Sequence, residues 1–184
     1  MDFRLISGVS VLNLSELKKE YRLKKDGLIF SLSAEDYHEF FTGAVKRLSE
    51  PVFFFLEIPA DNDSYRTYYL ECTVPVALAI LKRYRSVLYN DGVIRWGFGS
   101  HKTGDEIYMR EYQTVCLYSE KPEGYKKLLE QLGYKNNSSA KLVWDIISEK
   151  NPGECVNIEA DDETYIDMLN NLIEVGMYPE EESK

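Results

Sequence analysis

The apolar run at residues 52–58 constrains the fold of this chain more than any other segment. It is aromatic, apolar except for Glu57, and bounded by Pro51 and Pro59. A run this short and apolar favours a β-strand buried on both faces over a helix. The polar turn at 61–64 and the alternating residues 65–72 predict a second strand that returns beside the first. The fold is therefore expected to contain a sheet.

Apolar residues at three- and four-residue steps predict four helices. The first follows Ser33, whose hydroxyl could accept from first-turn amides, and its stripe is Tyr37, Phe40, Phe41, Ala44, Val45 and Leu48. The second follows Thr73, carries Pro75 in its first turn and extends to about residue 90. The third begins at Pro122 and ends before Gly133, and the fourth begins at the acidic residues 161–163 and ends at Gly176.

Further strands are predicted at residues 93–98, 107–109, 114–118 and 154–158. The apolar period of residues 142–147 does not distinguish a strand from a short helix. The basic cluster at 18–25 is interpreted as a solvated helix end. With no internal repeat and no linker, the sequence predicts one α+β domain over residues 1–178, with a mixed or antiparallel sheet and about four helices. Residues 179–184 are expected to form a loose acidic tail.

Charge and cysteine content exclude several classes of protein. The net charge is −9, and residues 93–184 carry 10 Lys and Arg against 18 Asp and Glu. This balance disfavours direct binding of nucleic acid, which needs a basic surface. The N-terminal residues lack a secretory leader pattern, no apolar stretch is long enough to span a bilayer, and the three cysteines are far apart. We therefore expect a cytoplasmic protein without membrane insertion.

The loop at residues 90–106 is the best candidate for a working surface, because polar residues gather there between four glycines. His101, Asp105 and Glu106 could hold a metal or share a proton, but a solvated hairpin loop is the favoured interpretation. Gly97 and Gly99 do not fit the dinucleotide-binding fingerprint. Their spacing on a strand lets a ring or another backbone approach one face closely.

Known catalytic motifs are also missing from the sequence. It contains neither a nucleophile elbow nor a phosphate-binding loop, so no catalytic residue, metal or cofactor is predicted. Whether the protein is an enzyme stays open, with a non-enzymatic role favoured.

Fourteen tyrosines and the acidic stretch from residue 154 to 174 favour a protein-binding role. We expect a non-enzymatic module that binds a basic partner protein, as an immunity-type inhibitor does. In size and charge the chain is similar to small acidic bacterial immunity proteins, although no motif carries the likeness. The expected partner-binding residues are Arg95, Trp96, His101, Asp105, Glu106, Asp161, Asp162 and Glu163.

Two alternatives remain open at this stage. One is an enzyme or small-ligand binder that uses a pocket between Gly97, Gly99, His101 and Glu106, with His101 as proton carrier. The other is a self-associating subunit, which would require the strand at 52–58 to lie at a sheet edge. The sequence does not set the oligomeric state.

Overall fold

A nine-stranded mixed sheet dominates the computed structural model, which describes residues 3–180. From edge to edge the strand order is β11-β5-β4-β6-β7-β8-β3-β2-β9, and every pair is antiparallel except β2 with β9. Its strands are β2 (Glu20–Lys24), β3 (Gly27–Ser31), β4 (Val52–Pro59), β5 (Tyr65–Cys72), β6 (Arg95–Ser100), β7 (Glu106–Arg110), β8 (Thr114–Tyr118), β9 (Lys135–Asn136) and β11 (Tyr178–Pro179). A separate two-stranded sheet pairs β1 (Val9–Val11) with β10 (Gly153–Cys155).

Among residues 3–180, five α-helices pack on one face of the large sheet. They are α1 (Tyr37–Val45), α2 (Val74–Arg83), α3 (Arg85–Leu88), α4 (Glu123–Gln131) and α5 (Tyr165–Glu174). Each of them contributes buried side chains to one hydrophobic cluster, and the members of that cluster in the strands of the large sheet all point to the same face. The alternate strand residues point to the opposite face. Near β3 that face is covered by residues 142–146. The predicted α+β class with a mixed sheet is confirmed.

Strand β4 lies in the interior of the sheet, as its apolar sequence indicated. Val52, Phe54 and Leu56 are completely buried against the helices. On the opposite face Phe55 is buried among other rings, whereas Phe53 is only half-buried. Because β4 has neighbours on both sides, the edge position required by the self-association alternative is not present.

The basic cluster at 18–25 contains strand β2 and is not a helix end. Tyr21 is buried against Phe30 of β3, while Arg22 and Lys24 alternate with it on the other face. Three charged side chains on this partly exposed strand had concealed the period-two pattern.

The N-terminus of the first helix also differs from the prediction. Ser33 precedes a 3-10 turn at Ala34–Asp36, and its hydroxyl accepts from the backbone N–H of Arg4 at 3.0 Å instead of from the helix. The stripe predicted for this helix is buried throughout.

The C-terminal region is ordered further than the predicted tail boundary. Pro179 belongs to β11, and the backbone N–H of Glu180 donates to the carbonyl of Thr67 at 2.9 Å. Residues 181–184, the rest of the predicted tail, lie outside the described residues. Within residues 3–180, none of the helices has the length and apolar character needed to cross a bilayer.

Candidate functional site

Trp96 lies inside the protein and not on a binding surface. Its side chain is 1% exposed, packs on Phe41 with 4.3 Å between ring centroids, and donates its indole N–H to the carbonyl of Leu88 at 3.1 Å. The expected role of Trp96 in partner binding is therefore corrected. In β6 the residues at 96, 98 and 100 face the helices, so only the alternate positions reach the opposite face.

The space left by Gly97 and Gly99 is filled by two rings of the neighbouring strand. A Cβ atom added at Gly97 would lie 2.6 Å from Phe55, and one added at Gly99 would lie 2.3 Å from Phe53. The close approach of a ring, expected from the glycine spacing, is therefore present. The pocket that the ligand-binding alternative placed there is occupied by these side chains.

The helix-free face of β11, β5, β4, β6 and β7 carries a cluster of rings and carboxylates. One row of the strand register joins Tyr178, Tyr69, Phe55, Gly97 and Tyr108, and the next joins Glu71, Phe53, Gly99 and Glu106. We call this region the acidic–aromatic patch, defined by Phe53, Phe55, Glu57, Tyr69, Glu71, Glu106, Tyr108, Tyr178 and Glu180.

The rings of the acidic–aromatic patch contact one another across the strands. Phe55 lies 5.3 Å from Tyr108 and 6.3 Å from Tyr69, measured between centroids. Phe53 lies 6.0 Å from Tyr69, and Tyr69 lies 6.5 Å from Tyr178. These separations are typical of interacting aromatic pairs. The outermost ring, Tyr178, is 46% exposed, so the patch is open to solvent at its edge.

Carboxylates surround the aromatic rings closely enough to change their ionisation. Burial raises the pKa of Tyr69, and the negative charges of Glu180, Glu106 and Glu57 raise it further. The pKa of Glu106 is itself raised, first by burial and then by the charge of Glu57. Within residues 3–180, Glu106 forms no ion pair and accepts no side-chain hydrogen bond. The patch therefore contains a half-buried carboxyl group that no cation of the described residues pairs with.

Arg95 lies beside the patch, but its charge is already balanced. Its guanidinium pairs with Glu111, lies 3.5 Å from Glu57 and stacks 3.7 Å above the Tyr65 ring. Burial lowers its pKa, but the hydrogen bond and charge of Glu111 more than offset that effect and raise the pKa. Glu57 also accepts a hydrogen bond from the Tyr108 hydroxyl at 2.6 Å. Arg95 therefore orders the rim of the patch.

His101, Asp105 and Glu106 turn toward different neighbours. The His101 ring stacks on Phe53 at 4.6 Å, and its Nε2 lies 2.8 Å from a Glu71 oxygen. Asp105 accepts from the Tyr125 hydroxyl of α4 at 3.3 Å. Among the residues that the structure describes, no three His, Cys, Asp or Glu side chains converge as metal ligands. Of the three, His101 and Glu106 face the acidic–aromatic patch.

Asp161, Asp162 and Glu163 belong to the helical side of the molecule. Asp161 accepts a hydrogen bond from the Ser86 hydroxyl of α3, and Asp162 is exposed in the same turn. Glu163 is 9% exposed and forms two hydrogen bonds with Arg83 at 2.9 and 3.0 Å. The fold therefore does not bring these acids together with the residues around His101.

Sequence reasoning identified some patch residues and missed others. Tyr69 and Tyr108 are among the fourteen tyrosines that favoured a protein-binding role, whereas Tyr68 and Tyr84 are buried in the core. Phe53, Phe55, Glu57, Glu71 and Tyr178 were not predicted as functional. The available signal was the alternation of β4, which places Phe53, Phe55 and Glu57 on one face.

Comparisons of the chain with known protein families, curated proteins and solved structures find no match.

Proposed function

We propose that this protein is a non-enzymatic binding module whose acidic–aromatic patch docks a basic partner protein. The observation that carries the proposal is the half-buried Glu106 carboxylate, uncompensated within the described chain and placed among aromatic rings on the helix-free sheet face. A cation from a partner would supply the missing charge.

The chemistry of the patch fits lysine and arginine side chains. An ammonium or guanidinium group is attracted to an aromatic face, and the attraction grows when water is excluded. Carboxylates beside the rings add charge-assisted hydrogen bonds, which are stronger than neutral ones. Glu57, Glu71, Glu106 and Glu180 supply such oxygens around Tyr69 and Phe53.

The net charge of −9 supports a basic partner over an acidic one. Long-range attraction between opposite net charges speeds encounter, and the effect falls with added salt. We further propose that binding blocks the partner, as an immunity-type inhibitor blocks a basic, nucleic-acid-acting protein. The unpaired thiols of Cys72, Cys116 and Cys155 support a reducing compartment such as the cytoplasm for this encounter.

A comparative pull-down tests the proposal. The wild-type protein and the variants Glu106→Gln and Tyr69→Thr are immobilised, exposed to a lysate of the native host at low salt, and eluted with rising salt. We expect the wild type to retain a protein that mass spectrometry identifies as basic. Retention by either variant should fall about tenfold, because each loses part of the cation-binding surface.

Glu174→Gln is the matched control, because it removes the same charge from an exposed position on α5. It should retain the basic protein almost as well as the wild type. Equal retention by the wild type and both patch variants would contradict the proposed site. Failure to retain any basic protein would contradict the proposed function.

A further inference from the structure

A second feature of the helix-free face is a trough over β3 and β8, next to the acidic–aromatic patch. It consists of two neighbouring cavities of about 340 and 270 Å³, and both are lined by Ile29 and Arg110. The larger one is comparable in size to small-molecule pockets. Its apolar walls are Leu142 and Trp144, and the smaller cavity continues past Cys116 to Tyr118.

Trp144 lies at the surface, whereas a tryptophan that only stabilises the fold is usually largely buried. Its side chain is 62% exposed and rests on Tyr112 with 5.2 Å between centroids. The 3-10 turn at Trp144–Ile146 is anchored by the Val143 N–H, which donates to the Ser31 hydroxyl at 2.8 Å, and by Asp145, which pairs with Arg22. The indole therefore forms an ordered apolar wall that leaves a large surface free.

Arg110 brings a weakly paired positive charge into the trough. Its side chain is 45% exposed, and its one ion contact within residues 3–180 is a Glu111 oxygen 3.9 Å from Nε. Glu111 is engaged more closely by Arg95. A guanidinium has five N–H donors in a planar fork that matches a carboxylate, and most donors of Arg110 are free to make such contacts.

Thr114 adds an unsatisfied polar group to the same wall. It is 8% exposed, lies directly opposite Arg110 in the β7–β8 register, and lines the larger cavity. Its Oγ1 is buried and has no hydrogen-bond partner in the described part of the chain. Leaving a buried hydroxyl unpaired is unfavourable, so a hydrogen-bond partner supplied by a ligand would stabilise the complex.

We propose that this trough binds a small molecule that combines an aromatic ring with a carboxylate. The ring lies against Trp144 and Ile29, and the carboxylate accepts from the Arg110 guanidinium and from Thr114. The site shares no residue with the acidic–aromatic patch but borders it, because the Arg110 guanidinium lies 5.7 Å from the centroid of the Tyr108 ring.

Three compounds that share one aromatic ring test whether the trough prefers a carboxylate. The probes are 3-phenylpropanoate, 3-phenylpropanamide and phenethylammonium, which share a phenylethyl group and carry an anionic, a neutral and a cationic polar group, respectively. Binding is followed by tryptophan emission and by ligand-observed NMR. Trp96 is buried in the core, so a binding-dependent change in emission reports on Trp144. We expect saturable binding of the carboxylate with a dissociation constant below about 1 mM. The amide should bind at least tenfold more weakly, and the ammonium compound should not bind.

Two variants locate the carboxylate contact. Arg110→Gln should abolish the preference for the acid over the amide, whereas Arg66→Gln, which removes an exposed charge from β5, should leave it intact. Thr114→Val keeps the shape of the side chain and should weaken carboxylate binding several-fold without destabilising the fold. Equal binding of acid and amide, an unchanged preference in Arg110→Gln, or no binding by either method overturns the proposal.

Discussion

Among single residues, the Glu106 carboxylate lowers the stability of the folded state when it is ionised. Its pKa is raised by burial and by Glu57, so the folded state holds a proton more tightly than the unfolded state does. The ionised form is therefore unfavourable for folding, and the wild type gains stability as the pH falls through the raised pKa. A cation supplied by the proposed partner would offset this unfavourable charge.

Glu106→Gln should consequently raise the free energy of unfolding at pH 7, by up to about 1 kcal/mol. The gain should shrink as the pH falls through the raised pKa and vanish below the ordinary pKa of glutamate, where both states of the wild type are also neutral. Urea denaturation across this pH range measures the difference. A variant that is less stable than the wild type at pH 7 would show that Glu106 has a structural role.

Gly97 is required by the rings of the patch. An added Cβ would lie 2.2 Å from the Ile107 carbonyl oxygen and 2.6 Å from Phe55. Gly97→Ala should therefore cost at least about 2 kcal/mol of stability, measured by urea denaturation. Gly124→Ala is the control, because its nearest atoms are 3.6 Å away in the flexible Arg47 side chain, and a helical site favours alanine. Loss of stability in both variants would contradict the steric argument.

At the scale of elements, α5 begins with a capping box that α2 lacks. The Thr164 hydroxyl accepts from the Asp167 N–H, and the Asp167 carboxylate accepts from the Thr164 N–H at 2.9 Å. Thr164→Ala should cost about 1 kcal/mol. Thr73→Ala at the start of α2 should cost much less, because Thr73 makes no capping bond. Equal costs in thermal or urea unfolding would indicate that the box contributes nothing.

Elements with a strong apolar period were predictable from sequence, and those with charged faces were not. Helix α1 follows its predicted stripe, α4 lies between its predicted limits, and β8 has the predicted bounds. Strand β2 was missed because its charged residues resemble those of a solvated helix. Strand β3 carries no Lys or Arg, but its five residues are too few to show a clear apolar period. The acids at 161–163 precede α5 instead of forming its first turn, since Thr164 and Asp167 supply the cap.

In the molecule as a whole, the two faces of the large sheet differ in what they contact. One face forms the core with the helices, and the other presents rings and charges. The sequence alone could not place Tyr69, Phe53 and Glu106 together, because their proximity depends on a register between strands that are distant in the chain. Gly97 and Gly99 indicated only that a ring or another backbone approaches β6 closely, and not which residues do so.

The charge of the molecule predicts how docking should respond to salt. The association rate with a basic partner should fall several-fold between about 50 and 200 mM salt, because screening shortens the attraction. Stopped-flow mixing with the captured partner measures this rate. Glu174→Gln should change it only slightly, and a rate independent of salt would contradict charge-guided docking.

Hydroxyl-radical footprinting of the complex tests most directly whether the acidic–aromatic patch is the binding surface, because aromatic side chains report their own exposure. With the captured basic protein bound, oxidation should fall at Phe53, Tyr69 and Tyr178, and stay unchanged at the exposed Ile173 and Val175 on the helical side. Protection of Ile173 and Val175, with the three rings oxidised as in the free protein, would contradict docking at the acidic–aromatic patch.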